Sequence, residues 1–482
     1  MPSALDRLLS RATRDPGDVV AVACDGTQHD ASGLAGRITA LAAMLGSQAS
    51  VVGVLAEDGP DWMVAVLAVR ALGATLVPLP LFFSEEQCAH VIADAGVTVI
   101  AASPSQVLRA TRWERPVAVI EDRPCEVGGL ADRGGRVIAY TSGTTGRPRG
   151  VVIEAAAVDA KAFTLGVACS AGPDDLHLSV LPVSLLLEML CAIHVVLIAG
   201  GGVRFAPRGP SGWSGDLPAA AEAAAPTVTV LVPALLAAWT GVLEATRRRA
   251  PASLRLVAVG GAPVAQGLAE RAWKVGLAVH EGYGLTECCS VVALNRPGER
   301  RAGTVGRPLP GVSVAIEDGE IVIDDSSLMA GYLGAAPAPA RWHSGDLGHL
   351  DETGCLVVTG RRDDVIVTAL GRNVSPGWPE GLLLADPRIA HCAVLDGGDY
   401  PRAVIEAAVP EREPAERLAA ACWAELPDYA CPRDIAVVPP GCFMRSGWLR
   451  PDGSVDRRTV AAALAPSSPA AGRRSHSVEM PS

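Results

Sequence analysis

Through residue 360 the chain alternates short apolar runs with segments of helical period. The run 51-VVGVLA-56 precedes 61-DWMVAVLAVRALG-73, and 97-VTVIAA-102 follows; 227-TVTVLV-232 and 255-RLVAVGG-261 come later. Strand, helix and strand at this spacing predict parallel sheets whose faces helices cover. The expected class is therefore α/β, with a large N-terminal domain of parallel-rich sheets layered with helices. A length of 482 residues calls for two or more domains. The pattern changes near 312-VSVAIEDGEIVIDD-325, where two short strands meet at Asp318-Gly319, a strong hairpin signal. A second hairpin is expected in 347-LGHLDETGCLVVTG-360, so that a β-meander closes the large domain.

Beyond residue 361 the pattern is α+β: strand 365-VIVTAL-370, helix 378-WPEGLLLAD-386, strands 390-AHCAVLD-396 and 403-AVIEAAVP-410, and helix 413-EPAERLAAACWAEL-426. The expected domains are 1–361 for nucleotide and acid binding, 362–464 for a smaller C-terminal domain joined by a hinge, and 465–482 for a disordered tail of Pro, Ser, Ala and Gly.

Composition removes several function classes. A net charge of −11 leaves no basic surface to neutralise nucleic-acid phosphates. The N-terminal segment has no apolar core of the signal-peptide kind. The run 178-LSVLPVSLLLEMLCAIHVVLIAGG-201 is long enough to span a bilayer, but Pro182, Glu188 and His194 interrupt it. A strand followed by a buried helix explains it better. The 12 cysteines form no CxxC pair and are expected to be buried free thiols in a reducing cytoplasm. Only two lysines occur, Lys161 and Lys274.

Between two apolar runs lies 140-YTSGTTGRPRG-150. Glycines let a loop aim backbone N–H groups at an anion. The hydroxyls of Thr141, Ser142, Thr144 and Thr145 add donors, Gly143 and Gly146 add freedom, and Arg149 adds charge. The loop suits phosphate, yet it lacks the lysine and the order of a P-loop.

This loop resembles the phosphate loop of the adenylate-forming, or AMP-binding, superfamily, which includes acyl- and aryl-CoA synthetases, peptide-synthetase adenylation domains and luciferases. Further segments resemble that family's motifs in order: the stretch from 73-GATLVPLP-80, then 282-GYGLTE-287, 303-GTVGRPLPG-311, 342-WHSGDLG-348 and 360-GRRDDVIVTALGRNVSP-376. The resemblance covers about residues 15 to 465. It implies ATP and Mg²⁺ as cofactors, with coenzyme A or a carrier protein's phosphopantetheine as acceptor.

The resemblance also implies roles. Glu287 would hold Mg²⁺ against the ATP phosphates, and Thr286 would touch the α-phosphate. Tyr283 would lie against adenine. Gly260, Gly261 and Ala262 would let the nucleotide approach the backbone. Asp346 would accept hydrogen bonds from the ribose hydroxyls, and Arg361 would assist at the ribose or the phosphate. Asp363 would be the hinge between domains. The acyl pocket would include Ser184, Leu185, Gly284, Leu285 and Ser290, an apolar lining that suits an aliphatic or aromatic acid.

One motif departs from the pattern. The family carries a lysine in a phrase like NGKxxRR; here 451-PDGSVDRRTV-460 puts Ser454 at that place, and a register on 445-RSGWL-449 would put Trp448 there. Arg450, Arg457 and Arg458 are the nearby cations. The implied activity is an AMP-forming ligase that adenylates a carboxylic acid and passes the acyl group to coenzyme A, a carrier protein or an amine. The alternatives are an impaired homologue that binds nucleotide or acyl-adenylate as a partner, and an enzyme that activates another oxyanion such as nitrite.

Overall fold

The computed structural model describes residues 2–47, 49–123, 125–141, 148–207, 217–264, 266–368, 372–384, 386, 388–408, 415–418, 420, 424, 426–450 and 454–464. The chain divides into two compact units between Val365 and Ile366.

The first unit is built on two large sheets. Among the described residues, one has nine strands, of which six central ones run parallel: Val279–Leu285, Leu256–Val259, Val228–Leu231, Leu176–Ser179, Gly202–Phe205 and Val19–Val22. Antiparallel strands flank them, Ser290–Leu294 and Arg307–Pro308 at one edge and Gln28–Asp30 at the other. The second sheet has seven strands. Its parallel part runs Arg136–Thr141, Thr75–Pro78, Val51–Leu55, Val99–Ala102 and Val117–Val119. Arg149–Glu154 returns antiparallel to Arg136–Thr141, and Gly331–Tyr332 closes that edge.

Local chemistry sets the element ends. The helix Pro60–Leu72 starts with proline at its first turn and ends at Gly73 in the left-handed region, φ +67°. Both are the favoured residues at those positions. Its faces are buried almost all round, from Trp62 to Val69, as expected for a helix between sheet and outer helices. The run 178–201 enters the core: Leu176–Ser179 is a central strand, and Leu186–Ala199 is helical with a π-helical middle, Leu190–Val195. Among the described residues no helix is long and apolar enough to cross a membrane.

The meander is a four-stranded antiparallel sheet: Ser313–Glu317, Glu320–Asp324, Arg341–Leu350 and Leu356–Arg361. Asp318 and Gly319 both take positive φ, 49° and 79°, as a two-residue primed turn requires.

In the second unit, Ile389–Leu395 pairs antiparallel with Arg402–Ala407, which pairs parallel with Asp434–Val438. This third strand is absent from the sequence expectations. Its pattern is only half-buried, and Pro432 and Pro439 bracket it, so it reads as a loop. The expected strand 365–370 is short, Ile366–Val367, pairing with Asn373–Val374; residues 369–371 lie outside the description. Of the expected helix 413–426, Ala415–Leu418 is described. The tail 465–482 also lies outside it.

The described cysteines are free, but not all are buried: Cys24 and Cys125 are exposed. Cys24 sits in the turn between Val19–Val22 and the edge strand Gln28–Asp30, and Cys125 in a connecting loop, where no layer covers them.

Within the second unit the buried Glu380 takes the Nε of Arg457 at 2.7 Å, a second contact from its Nη2, and the backbone N–H of Val394 at 2.9 Å. Removing Glu380 leaves the partly exposed Arg457 without this carboxylate and the buried Val394 N–H without its acceptor, which typically costs about 1–3 kcal/mol. Glu380→Ala is expected to lower stability by about that amount, read as a shifted chemical-denaturation midpoint of the C-terminal unit.

Candidate active site

In open parallel sheets, ligands bind outside the carboxyl ends of the strands. Several expected residues lie there. Gly260 follows Leu256–Val259, and its N–H donates to the Leu231 carbonyl at 3.2 Å. Gly261 adopts φ +84°, and Ala262 is exposed. Tyr283, Gly284 and Leu285 end the strand Val279–Leu285, and Thr286 and Glu287 open the turn after it.

Two clusters form beyond that strand. In the first, the Tyr283 hydroxyl donates to Oδ2 of Asp346 at 2.6 Å. Arg361, paired with Asp346 across adjacent strands, places Nη1 3.5 Å from Oδ1. Asp346 is 8% exposed. Burial pushes its carboxyl above the usual carboxylate range; Tyr283 and Arg361 pull the other way without cancelling this, and Glu287 and Asp364 add to it. Tyr283 was expected against adenine; its hydroxyl is tied to the carboxylate expected to take ribose.

In the second cluster, the Tyr332 hydroxyl donates to Oε1 of Glu287 at 2.7 Å. The Arg149 guanidinium carbon stands 3.6 Å from the centre of the Tyr332 ring, a cation–π stack. The charge of Glu287 acts on Asp346, and that of Arg361 acts on Tyr332. The two clusters are neighbours beyond the end of the same strand, and Arg149, Tyr283, Glu287, Asp346 and Arg361 together are the candidate site.

Tight turns shape the wall between them. Cys289 and Ser290 both have positive φ, 53° and 80°, which side chains other than glycine adopt only under surrounding constraint. A Cβ on Gly284 would stand 1.8 Å from the Ser290 carbonyl oxygen, so only glycine fits. Gly306, in the 303–311 motif, likewise packs on backbone: its Cβ would meet the Leu294 carbonyl carbon at 2.1 Å. That motif works through packing.

Ser184 is buried and Leu185 half-buried. Asp58 holds their turn by accepting the Val183 N–H at 2.6 Å. Thr141 ends its strand opposite Arg149; Ser142, Gly143, Thr144, Thr145 and Gly146 lie outside the described residues. Asp363 falls in the turn Arg362–Asp364, next to the boundary between units. Ser454 lies in the second unit, its carbonyl accepting the Arg450 N–H at 2.8 Å.

Among the described residues no cluster of three or more His, Cys, Asp or Glu side chains could hold a metal by itself. A single carboxylate, Glu287, fits Mg²⁺, which commonly binds through one carboxylate plus substrate phosphates. The adjacent thiols Cys288 and Cys289 are buried, and burial pushes Cys289 up to about 12, so both stay protonated.

Three features of the site escaped sequence reasoning. Tyr332 follows a glycine 45 residues beyond Glu287, and nothing local signals the contact. Glu320 is 5% exposed and accepts the Gly345 N–H at 2.8 Å, with Arg362 at 3.1 Å and His343 at 3.4 Å. Burial alone would raise its carboxyl, but these three partners outweigh it and hold it low. Lys161, far from the motifs in sequence, is buried in an ion pair with Asp325; a lone lysine in an apolar helix is the available signal.

If Asp346 must be ionised to accept ribose hydroxyls, nucleotide affinity should fall as pH drops, beginning above the usual carboxylate range because its pKa is raised. Asp346→Asn should weaken binding and flatten this acid limb in titrations of ATP-dependent thermal protection.

The family model for AMP-binding enzymes matches residues 8–333, more than half of the chain. A feruloyl-CoA synthase from Amycolatopsis sp is 28% identical over 428 residues, covering 80% of this chain and 84% of that protein. The structure of an anthranilate CoA ligase in complex with anthranoyl-AMP superposes with a TM-score of 0.82 at 19% identity, covering 96% of this chain and 97% of that one. An O-succinylbenzoate coenzyme A synthetase from Bacillus subtilis, in complex with ATP and magnesium ion, gives 0.79 at 24% identity, with 94% and 98% covered. With the motifs in order and the family model matching more than half of the chain, the chain belongs to the AMP-binding enzyme family, the adenylate-forming superfamily of AMP-forming ligases.

Proposed function

We propose that this chain binds Mg·ATP, adenylates an aliphatic or aromatic carboxylic acid and passes the acyl group to the thiol of coenzyme A or of a carrier protein. The observation that carries this reading is the joined site Arg149–Tyr332–Glu287 and Tyr283–Asp346–Arg361. It offers a carboxylate for a hard cation, a carboxylate for a vicinal diol, and two arginines for phosphate.

In the first step a substrate carboxylate oxygen attacks the α-phosphorus, the bond to the bridging oxygen breaks, and pyrophosphate leaves. Magnesium, when bound, neutralises phosphate charge. Glu287 would hold it, with Tyr332 fixing one oxygen of that carboxylate. Arg149 would meet the phosphate oxygens, its plane set by the Tyr332 ring. Asp346 would orient the ribose, and Gly261 leaves room for the base. In the second step the thiol sulfur attacks the acyl carbon, AMP leaves, and the thiol proton is released. The feruloyl-CoA synthase and anthranilate CoA ligase likenesses support an aryl acid within the proposed class.

Ser454 cannot supply a cation. Of its neighbours, Arg457 is bound by the buried Glu380. Arg450 is exposed, and its N–H donates to the Ser454 carbonyl beside the Leu449–Val455 bridge. Its Nε reaches Asp456 only at 3.9 Å. Arg458 is exposed as well, so Arg450 and Arg458 are the two candidates for the missing cation, and Arg450 is the one we propose first. An amine as acceptor is the variant. A homologue that binds nucleotide without turnover is the second reading, favoured by Ser454.

Pyrophosphate release from Mg·ATP, measured over a panel of aryl, fatty and short-chain acids with coenzyme A or hydroxylamine, is expected to depend on one acid class. No release with any acid, alongside clear ATP binding, would support the non-catalytic reading. Asp346→Ala should abolish the thermal protection that Mg·ATP gives; undiminished protection would remove the ribose assignment. Arg450→Ala should slow release by about 10²–10³-fold while protection persists, and an unchanged rate would return the cation to another group.

A further inference from the structure

Lys161 and Asp325 form an ion pair that the proposed chemistry does not use. Lys161, on the helix Ala155–Ala168, is 1% exposed, and Asp325 is 8% exposed. Burying such a pair costs several kcal/mol per ion, so it is weak evidence for stability by itself. Its place suggests another role.

Asp325 begins a strap that runs to Leu333. Its Oδ1 takes the Ser327 N–H at 2.8 Å, and its carbonyl takes the Leu328 N–H at 3.2 Å. Met329 N–H then donates to the Glu287 carbonyl at 2.8 Å, and Ala330 N–H donates to the Val152 carbonyl at 2.7 Å. Gly331–Tyr332 pairs with Val152 and Val151, and Leu333 N–H reaches the Gly150 carbonyl at 2.8 Å. The strap thus grips Glu287 twice, at its carbonyl and, through Tyr332, at its carboxylate. Lys161 also lies close enough to act on Cys288 and Cys289. Cys289 and Ser290 hold the strained positive φ values that follow Glu287. Such strain persists only where neighbours over-determine it.

We propose that Lys161 is a positioning residue for the magnesium–nucleotide site: through Asp325 it anchors the strap 325–333, and through the strap it orients the Glu287 carboxylate. This rests on the functional reading above. A polar partner behind a metal ligand commonly changes metal affinity or activity 10- to 100-fold when removed.

Lys161→Met alone leaves an uncompensated buried carboxylate and could block folding. The informative variant is therefore Lys161→Met/Asp325→Leu, which removes both charges and should fold with a melting temperature near that of wild type. Its half-saturating Mg²⁺ in pyrophosphate release, and its KM for Mg·ATP, should rise about tenfold or more. The KM for the acid should stay near wild type. Lys161→Arg, which keeps the charge, should recover part of the Mg²⁺ affinity. A folded double variant with wild-type Mg²⁺ dependence would overturn the proposal. If wild type releases no pyrophosphate with any acid, that failure belongs to the functional reading. The comparison then rests on the magnesium-dependent part of ATP thermal protection, which the double variant should lose. Equal protection in both proteins, or none in wild type, would overturn the proposal.

Discussion

The site depends on a very short piece of antiparallel pairing, Gly331–Tyr332 against Val151–Val152. Two residues of ladder bring an aromatic ring from beyond the meander's second strand to the strand that leaves the glycine-rich loop. Tyr332 then faces a guanidinium on its ring and a carboxylate on its hydroxyl. Without that register, Arg149 and Glu287 would share no common partner. The pairing makes one site from groups spread over nearly two hundred residues.

Burial sets the electrostatics around it. Asp346 gives up hydration, and Tyr283 and a more distant Arg361 do not offset that loss or the nearby charges of Glu287 and Asp364, so its carboxyl is raised. Glu320, buried as deeply, gains a backbone N–H and two basic neighbours and is held low. The contrast is one of partners: desolvation disfavours the charged form in both, and hydrogen bonds decide the net sign. Glu320 accepts the Gly345 N–H, whereas Asp346 is left with the raised carboxyl that a polar ligand would complete.

Much of the fold was legible. The alternation that predicted parallel sheets appears as two sheets with parallel centres, because a strand buried on both faces must be apolar throughout. Asp318-Gly319 announced its hairpin through the positive φ that its turn demands. The strand Asp434–Val438 was not legible, since a half-buried edge strand between prolines carries little periodicity. Composition groups Cys24 and Cys125 with the buried thiols, because it says nothing about which turns lie outside the layers. Arg149, Tyr283, Glu287, Asp346 and Arg361 could be named from motifs because each sits at fixed spacing from glycines.

By itself, the sequence determined the class of the fold, the order of its motifs, the family and the absence of a lysine at position 454, since all of these are properties of local pattern and residue type. Only tertiary structure decided that Tyr332 joins Arg149 to Glu287, that Arg457 is bound to Glu380 while Arg450 lies exposed opposite Ser454, and that Lys161 is paired with Asp325. Those outcomes rest on contacts between residues far apart in the chain, whose partners are chosen by burial and strand register.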